Sequence, residues 1–219
     1  MFKRIKVVGR GRVGGAIAGR LAERGLLVES DDADLVLLCV PDAAIRDVAR
    51  AARPGLWIAH VSGATPLTAL DPHSTRFGLH PLQTFTRDRG PEQLDGAWAA
   101  ITGESDDARV RGRWLADQLG LRAFDMTEKS RVLYHAGAVM ASNYLVTLFR
   151  AAARMVTTAG APEEVLLPLM RRTMDNGFDL TGPIARGDWA TVDAHLDAIR
   201  RSTPDLEPMY RALAEATAR

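Results

Sequence analysis

The sequence predicts an α/β protein: a truncated Rossmann-type parallel sheet followed by an all-helical C-terminal domain. Three observations carry that prediction. Short apolar, β-branched runs alternate with helical periodicities through the first 126 residues. The first run leads into G-R-G-R-V-G, a glycine-rich turn that opens a helix. From Thr127 onward no strand-like run occurs, so residues 1–126 form the expected dinucleotide-binding domain and 127–219 the helical dimerisation or substrate domain.

The elements follow in order. IKVVG, starting at Ile5, is short and apolar, as a central parallel strand buried on both faces should be. GGAIAGRLAER then sets Ala16, Ile17, Leu21 and Ala22 on one helical face, and Gly25 closes the helix. DLVLLCV, ended by Pro41, is the next strand, with AAIRDVARAAR as the helix behind it, and LWIAHV is a third. After RFGLHPLQTF come a strand AWAAIT, a helix DARVRGRWLADQL and a short strand LRAFD. A long helix then runs from Thr127, as N-cap, to Gly160, as terminator, about nine turns at 3.6 residues each. PEEVLLPLMRRTMDNGF starts a helix with Pro162 at its first position, and WATVDAHLDAIRR and PDLEPMYRALAEATA make two more. The small residues of the long helix suit close packing, either in a homodimer interface or within the chain.

At 219 residues the chain can form one sizeable domain or a domain with a helical extension. A net charge of +1 argues for neither nucleic acid nor an anionic membrane as partner. The one cysteine, Cys39, lies in an apolar run, which allows no disulfide within one chain and reads as a buried, inert thiol. The opening MFKRIKVVG runs directly into a strand, so no signal peptide is expected, and no apolar run reads as long enough to span a bilayer. A cytoplasmic protein is the expectation.

In the glycine turn, Gly9 permits the tight turn after the strand, Gly11 lets backbone approach a diphosphate, and Gly14 allows close helix–strand packing. Arg10, Arg12 and Arg20 are placed to offer charge to phosphates. Downstream, Glu29 lies at the distance expected of the acidic residue that bonds a ribose. Only SDDA separates it from DLVLLCV, whereas a parallel crossover needs about a dozen residues. The second strand, its helix and the third strand therefore read as excised, leaving LLVE as a stub.

Three of the histidines sit at motif-like places. His60 ends the third strand just before Ser62 and Gly63, His80 opens HPLQTF, and His135 lies on the long helix. Ligands of open α/β folds bind at the C-terminal ends of strands. α-Helical spacing puts His135, Val139, Ser142 and Asn143 on one face. Such a polar stripe either lines a cleft or satisfies itself in a packed core.

VVGRGRVG, DADLVLLCVPD, HVSGA, GLHPLQTF, YHAGAVMASNYLVTL and LTGPIARGD together resemble a bacterial family of Rossmann-like oxidoreductases with a C-terminal helical domain of unknown function. That family is similar to 6-phosphogluconate dehydrogenase-like and pyrroline-5-carboxylate reductase-like proteins, and to one type of ketopantoate reductase. The resemblance covers nearly the whole chain, apart from the segment missing between Leu27 and Asp31. It implies NADP or NAD as cofactor and a small 2-oxo or imino-acid-like substrate. It places Gly9, Arg10, Gly11, Arg12, Val13 and Gly14 at the diphosphate, with Val40 and Pro41 beside the cofactor. His60, Ser62, His80 and Gln83 would face the cleft from the sheet, and His135, Ser142 and Asn143 from the helix. Thr181 and Arg186 would close it, Arg186 through a fork suited to a carboxylate. His80 and His135 are the candidate proton donors, with Ser62 or Asn143 orienting the substrate. Equally open are a structural turn before Pro81 for His80 and a satisfied core position for His135.

An NAD(P)-dependent oxidoreductase is thus one expectation. A diverged non-redox relative binding a small ligand or a protein is the other. A histidine-bound metal is not expected, since no HxH or HExxH spacing occurs.

Overall fold

Six strands lie side by side in chain order: β1 (Ile5–Val8), β2 (Leu35–Leu38), β3 (Trp57–His60), β4 (Arg76–Leu82), β5 (Trp98–Gly103) and β6 (Arg122–Asp125). The structure is a computed structural model that describes residues 1–219. β1 to β4 run parallel, β5 runs antiparallel to β4, and β6 is parallel to β5. The sheet is mostly parallel, as expected, with one reversal at β5. The return from β4 to β5 holds only a 3-10 turn, Pro91–Leu94, and no crossover helix, so the chain comes back as a long hairpin. Buried Gln93 holds that return by donating to the carbonyls of Arg89 at 2.8 Å and Gly90 at 3.1 Å, while its Oε1 accepts from Thr86 at 2.8 Å.

β4 is a strand that the sequence conceals, because Pro81 interrupts its apolar run. Its partner β3 pairs only as far as His60 with Gly78, so Pro81 has no β3 carbonyl to which it would need to donate.

Helices α1 (Arg12–Glu23) and α3 (Asp106–Gln118) share one core with Ile5, Val7, Leu35, Leu37, Phe77 and Ile101. Helix α2 (Ile45–Ala51) covers the other face, against Val36, Leu38 and Ile58. Leu35, Leu37 and Leu38 have no exposed surface. Each such burial stabilises by about 2 kcal/mol relative to exposure. Both faces of β2 are covered, which is why it reads as an unbroken apolar run.

The excision is visible in the backbone. Leu27 makes a single parallel bridge to Ile5, where Ile5 N–H donates to Leu26 at 2.8 Å and Val28 N–H donates to Ile5 at 3.0 Å. The chain then passes through Ser30–Ala33 straight into β2, at the place beside β1 that a fourth Rossmann strand would hold. On the α2 face this leaves a groove of about 430 Å³ lined by Lys6, Val8, Val36, Val48 and Ala52. A crossover helix returning to β2 would cover that side of the sheet.

The chain forms two compact units, Met1–Val139 and Met140–Arg219. Strands end at Asp125, but the first unit runs on past the expected division at 126 because α4 (Arg131–Val139) packs Arg131, Tyr134 and His135 onto the strand ends. The long helix is also not uniform: a π turn, Met140–Tyr144, separates α4 from α5 (Leu145–Thr158). A π turn takes more residues per turn, so the α-helical spacing from His135 to Ser142 and Asn143 is not kept.

The second unit adds α6 (Leu166–Asp175), α7 (Trp189–Ser202) and α8 (Glu207–Thr217) to α5. Asp188 caps α7 by accepting from Thr191 N–H at 3.1 Å, and Arg154 pairs with Asp205 through two bonds of 2.7 and 2.9 Å. Its buried clusters are small, Ala151 with Ile199 and Leu206, and Val192 with Leu196 and Ala214. By contrast Leu145, Leu169, Met174 and Phe178 are exposed.

The helix from Glu128 to Thr158 spans 31 residues, and its most apolar window has a mean hydropathy of 1.3. By length and composition it could cross a bilayer, which corrects the expectation that no segment is long and apolar enough. It carries His135, Ser142, Asn143 and Thr147 along that stretch, polar groups that hydrocarbon disfavours.

Candidate active site

The parallel β1–β4 ends converge on one edge of the first unit. There Gly9 follows β1 with φ +96°, a conformation that an L side chain rarely adopts. A Cβ at Gly9 would press on the Cys39 carbonyl, and one at Gly14 would run into the Gly9 carbonyl. Both glycines therefore serve the packing of loop, strand and helix. Gly11 differs. It is the N-cap of α1 with φ −70° and ψ −163°, and a Cβ built on it meets nothing within 4 Å. Packing leaves room for a side chain at position 11; glycine there suits the N-cap and leaves the backbone open to close approach by a ligand.

Arg12, Val13 and Gly14 form the first turn of α1, and the first helical bond is Gly15 N–H to Gly11 O at 2.8 Å. The N–H groups ahead of it lack helical partners and form the positive end of the helix dipole. No acidic side chain occupies that turn. Arg10 and Arg12 are exposed beside it, Arg10 being ion-paired with Glu29. Arg20 does not serve the phosphate role expected of it: it is held by Asp95 at 2.8 Å and donates to the Pro91 carbonyl at 3.1 Å. Val40 lies against Gly9, and Pro41 opens the 3-10 turn Asp42–Ala44. Cys39 sits beneath the loop, where burial pushes its thiol up to about 12, consistent with an inert side chain.

At the neighbouring strand ends, His80 Nδ1 lies 3.0 Å from the Tyr134 hydroxyl, and the His80 and His135 rings meet edge to face at 5.9 Å. Gly63 makes room for both rings: a Cβ there would lie 2.6 Å from His135 Cδ2 and 2.9 Å from His80 Nε2. Burial, then the charges of His135 and Arg131, push His80 down to about 4. Burial also pushes Tyr134 up to about 12. At neutral pH both groups are uncharged, and His80 acts as a hydrogen-bonding imidazole rather than a cation. The charge of Asp42, just after Pro41, reaches His80, which ties the β2 end to this cluster.

His60 does not line an open cleft. It has no exposed surface, neither ring nitrogen has a partner, and burial followed by Arg131 drives it to about 3. The Ser62 hydroxyl is committed to its own turn, accepting from Thr65 N–H at 2.9 Å and Ala64 N–H at 3.2 Å while donating to Thr65 Oγ1 at 2.9 Å. Gln83 is exposed just beyond β4, with its Oε1 accepting from Thr84 N–H at 2.9 Å.

Two residues that sequence reasoning missed complete the cluster. Arg131 is 2% exposed; it donates to the Ser62 carbonyl at 2.9 Å and to the Thr102 hydroxyl, with Glu128 at 3.4 Å. A Cβ at Gly78 would lie 2.8 Å from the Arg131 guanidinium, so that glycine admits it. Tyr134 is the other. Its place directly before His135 was visible in the sequence, but one helical step separates their directions, and only the fold shows that both reach His80.

Ser142, Asn143, Thr181 and Arg186 belong to the second unit. Ser142 donates to Asn143 Oδ1 at 3.3 Å, while Thr181 and Arg186 are exposed around the 3-10 turn Ile184–Arg186. No group of three or more His, Cys, Asp or Glu side chains is arranged to hold a metal ion.

Similar folds are found among solved structures. BF3122 of Bacteroides fragilis, a candidate NADP oxidoreductase, matches with a TM-score of 0.80 at 19% identity, over 99% of this chain and 98% of that one. TM1727 of Thermotoga maritima matches with a TM-score of 0.78 at 23% identity, over 98% of each chain. The 1-pyrroline-5-carboxylate reductase of Streptococcus pyogenes matches with a TM-score of 0.63 at 20% identity, over 98% of this chain and 96% of that one. At such identities the likeness shows the fold. No curated protein matches the sequence. The family model described as "Domain of unknown function (DUF2520)" matches residues 97–217, from β5 to the end of α8 and more than half of the chain. The chain belongs to that family, and its fold is that of the three structures just named.

Proposed function

We propose that the chain is an NAD(P)-dependent oxidoreductase acting on a small carboxylated substrate of the 2-oxo or imino-acid type. The observation that carries this is the tight turn at Gly9 leading to Gly11, an N-cap with open space beside its backbone, at the head of a helix whose first N–H groups are unpaired. The loop fits a dinucleotide diphosphate: Arg12, Val13 and Gly14 offer their amides, and Arg12 offers charge, Arg10 being held by Glu29. The nicotinamide group, when bound, supplies or accepts the hydride.

The chain's own residues do the rest. With Tyr134 donating to Nδ1, His80 carries its proton on Nε2, the nitrogen beside Gly63. It then offers a neutral N–H to a substrate oxygen or imine nitrogen. His135 packs edge to face against the His80 ring. Arg131 is too buried to touch substrate; after burial and His135, its charge helps to keep His80 neutral, and its hydrogen bond to the Ser62 carbonyl holds that turn. Gln83, exposed just beyond β4, is the proposed substrate contact of the first unit. A homodimer formed through the second unit is part of the proposal, supported by its exposed Leu169, Met174 and Phe178, and so is a cytoplasmic location.

Thermal shift with NADH, NADPH, AMP and pyrophosphate tests it. Stabilisation by a reduced dinucleotide well beyond that from pyrophosphate is expected, and no shift from any of them ends the proposal. The shortened second strand favours a second reading, a non-redox binder of small phosphates or carboxylates. It calls for equal shifts from pyrophosphate and dinucleotide.

A further inference from the structure

The diphosphate loop is intact, but what should follow it is not. In a full Rossmann unit the second strand, its helix and the third strand form the shelf under the adenosine half of the cofactor. Here that shelf is one bridge at Leu27 and a strap of residues 28–34 that returns directly to β2.

The strap's polar groups are already engaged with β1 and the glycine loop. Glu29, placed where a ribose acceptor belongs, pairs with Arg10. Asp31 pairs with Lys6 at 2.6 Å, and Asp32 and Asp34 with Arg4 at 2.7 and 3.1 Å. The side chain of Glu29 is 75% exposed, so no wall stands beside it. Arg10, the cation paired with Glu29, is taken up by that pair and is not free for a 2′-phosphate. The groove of about 430 Å³ on the α2 face is floored by apolar Val8 and Val36, with Lys6 and Asp31 at its edge, and the strap contributes no aromatic side chain on which a base could stack.

The geometry points to a site that reads the nicotinamide–ribose–diphosphate part of a dinucleotide and leaves the second nucleoside unread. This rests on the dinucleotide reading of the Gly9–Gly14 loop. The chain accepts dinucleotides whose adenine is replaced by another base, and it gains nothing from a 2′-phosphate. The strap's role is then structural: it closes the sheet edge and neutralises Arg4, Lys6 and Arg10.

Calorimetric titration of the full chain with NADH, NADPH, reduced nicotinamide cytosine dinucleotide and AMP tests this. The expected result is dissociation constants within about threefold for NADH and its cytosine analogue, NADPH no tighter than NADH, and no heat from AMP. A cytosine analogue bound tenfold or more weaker than NADH overturns the inference, as does NADPH bound tenfold or more tighter. In either case the oxidoreductase reading survives, because dinucleotide binding has been seen. No binding of any reduced dinucleotide overturns both. Glu29→Gln provides the independent arm. A change in NADH affinity under about threefold is expected, and a tenfold loss shows that Glu29 holds the ribose.

Discussion

His80 Nδ1 and the Tyr134 hydroxyl stand 3.0 Å apart, joining the end of β4 to the first turns of α4. With Tyr134 donating, the bond sets the imidazole tautomer and leaves the proton on Nε2, which packs beside Gly63. Tyr134→Phe keeps the ring packing against Phe124 and removes only this bond. Turnover is expected to fall on the order of 10²-fold with the substrate once identified, with NADH affinity unchanged in the same titration. An unaltered rate would remove His80 and Tyr134 from the chemistry.

Two imidazoles held neutral by burial make stability depend on pH. His60 and His80 have folded values of about 3 and about 4, below the ordinary 6.5. The unfolded chain therefore binds protons that the folded chain does not. Stability is fully present above pH 6.5 and is lost as pH falls toward 4 and then 3. Each group contributes a slope of about 1.4 kcal/mol per pH unit within its window. Urea unfolding between pH 7 and 4 should show it, and His60→Leu should flatten the profile; a wild-type profile with no slope would contradict the burial of these rings.

Gly11 and Gly14 separate ligand from fold. Gly11→Val should cost about 1 kcal/mol, the loss of a favourable N-cap residue, since a Cβ there meets nothing within 4 Å, yet remove the thermal shift by NADH. Gly14→Ala should instead destabilise by about 1–3 kcal/mol or prevent folding, because its Cβ meets the Gly9 carbonyl. Undiminished NADH binding by the Gly11 variant would show that the loop is not the site.

Arg131→Met deletes the donor to the Ser62 carbonyl and the Thr102 hydroxyl. Leaving buried acceptors unpaired should cost roughly 1–3 kcal/mol. His80 should also titrate higher, since the Arg131 charge helps to depress it; NMR titration of the ring protons would reveal that rise or its absence.

The exposed apolar side chains of α6 and the segment after it predict self-association. Leu169→Glu, at a position 63% exposed, should turn a dimer into a monomer in light scattering while the far-ultraviolet circular dichroism is preserved. A wild-type chain that is already monomeric would refute the dimer.

By itself the sequence determined what depends on short-range pattern. The buried strands Leu35–Leu38 and Trp57–His60, the glycine turn, the cut after Leu27 and the helices from Thr127 onward are all written in local periodicity and turn chemistry. Tertiary structure alone decided what depends on who sits beside whom. Pro81 disguised β4 because its tolerance comes from β3 stopping short, and the reversal at β5 comes from a connection without a helix. His60 and Ser62 looked like cleft residues, yet one is sealed and the other spends its hydroxyl on a turn. Arg131 gave no signal, since a lone arginine on a helix is ordinarily solvated; its burial is made possible by Gly78 and Thr102, more than 25 residues away in sequence. Burial and partnership are sums over such distant neighbours, and no window along the chain contains them.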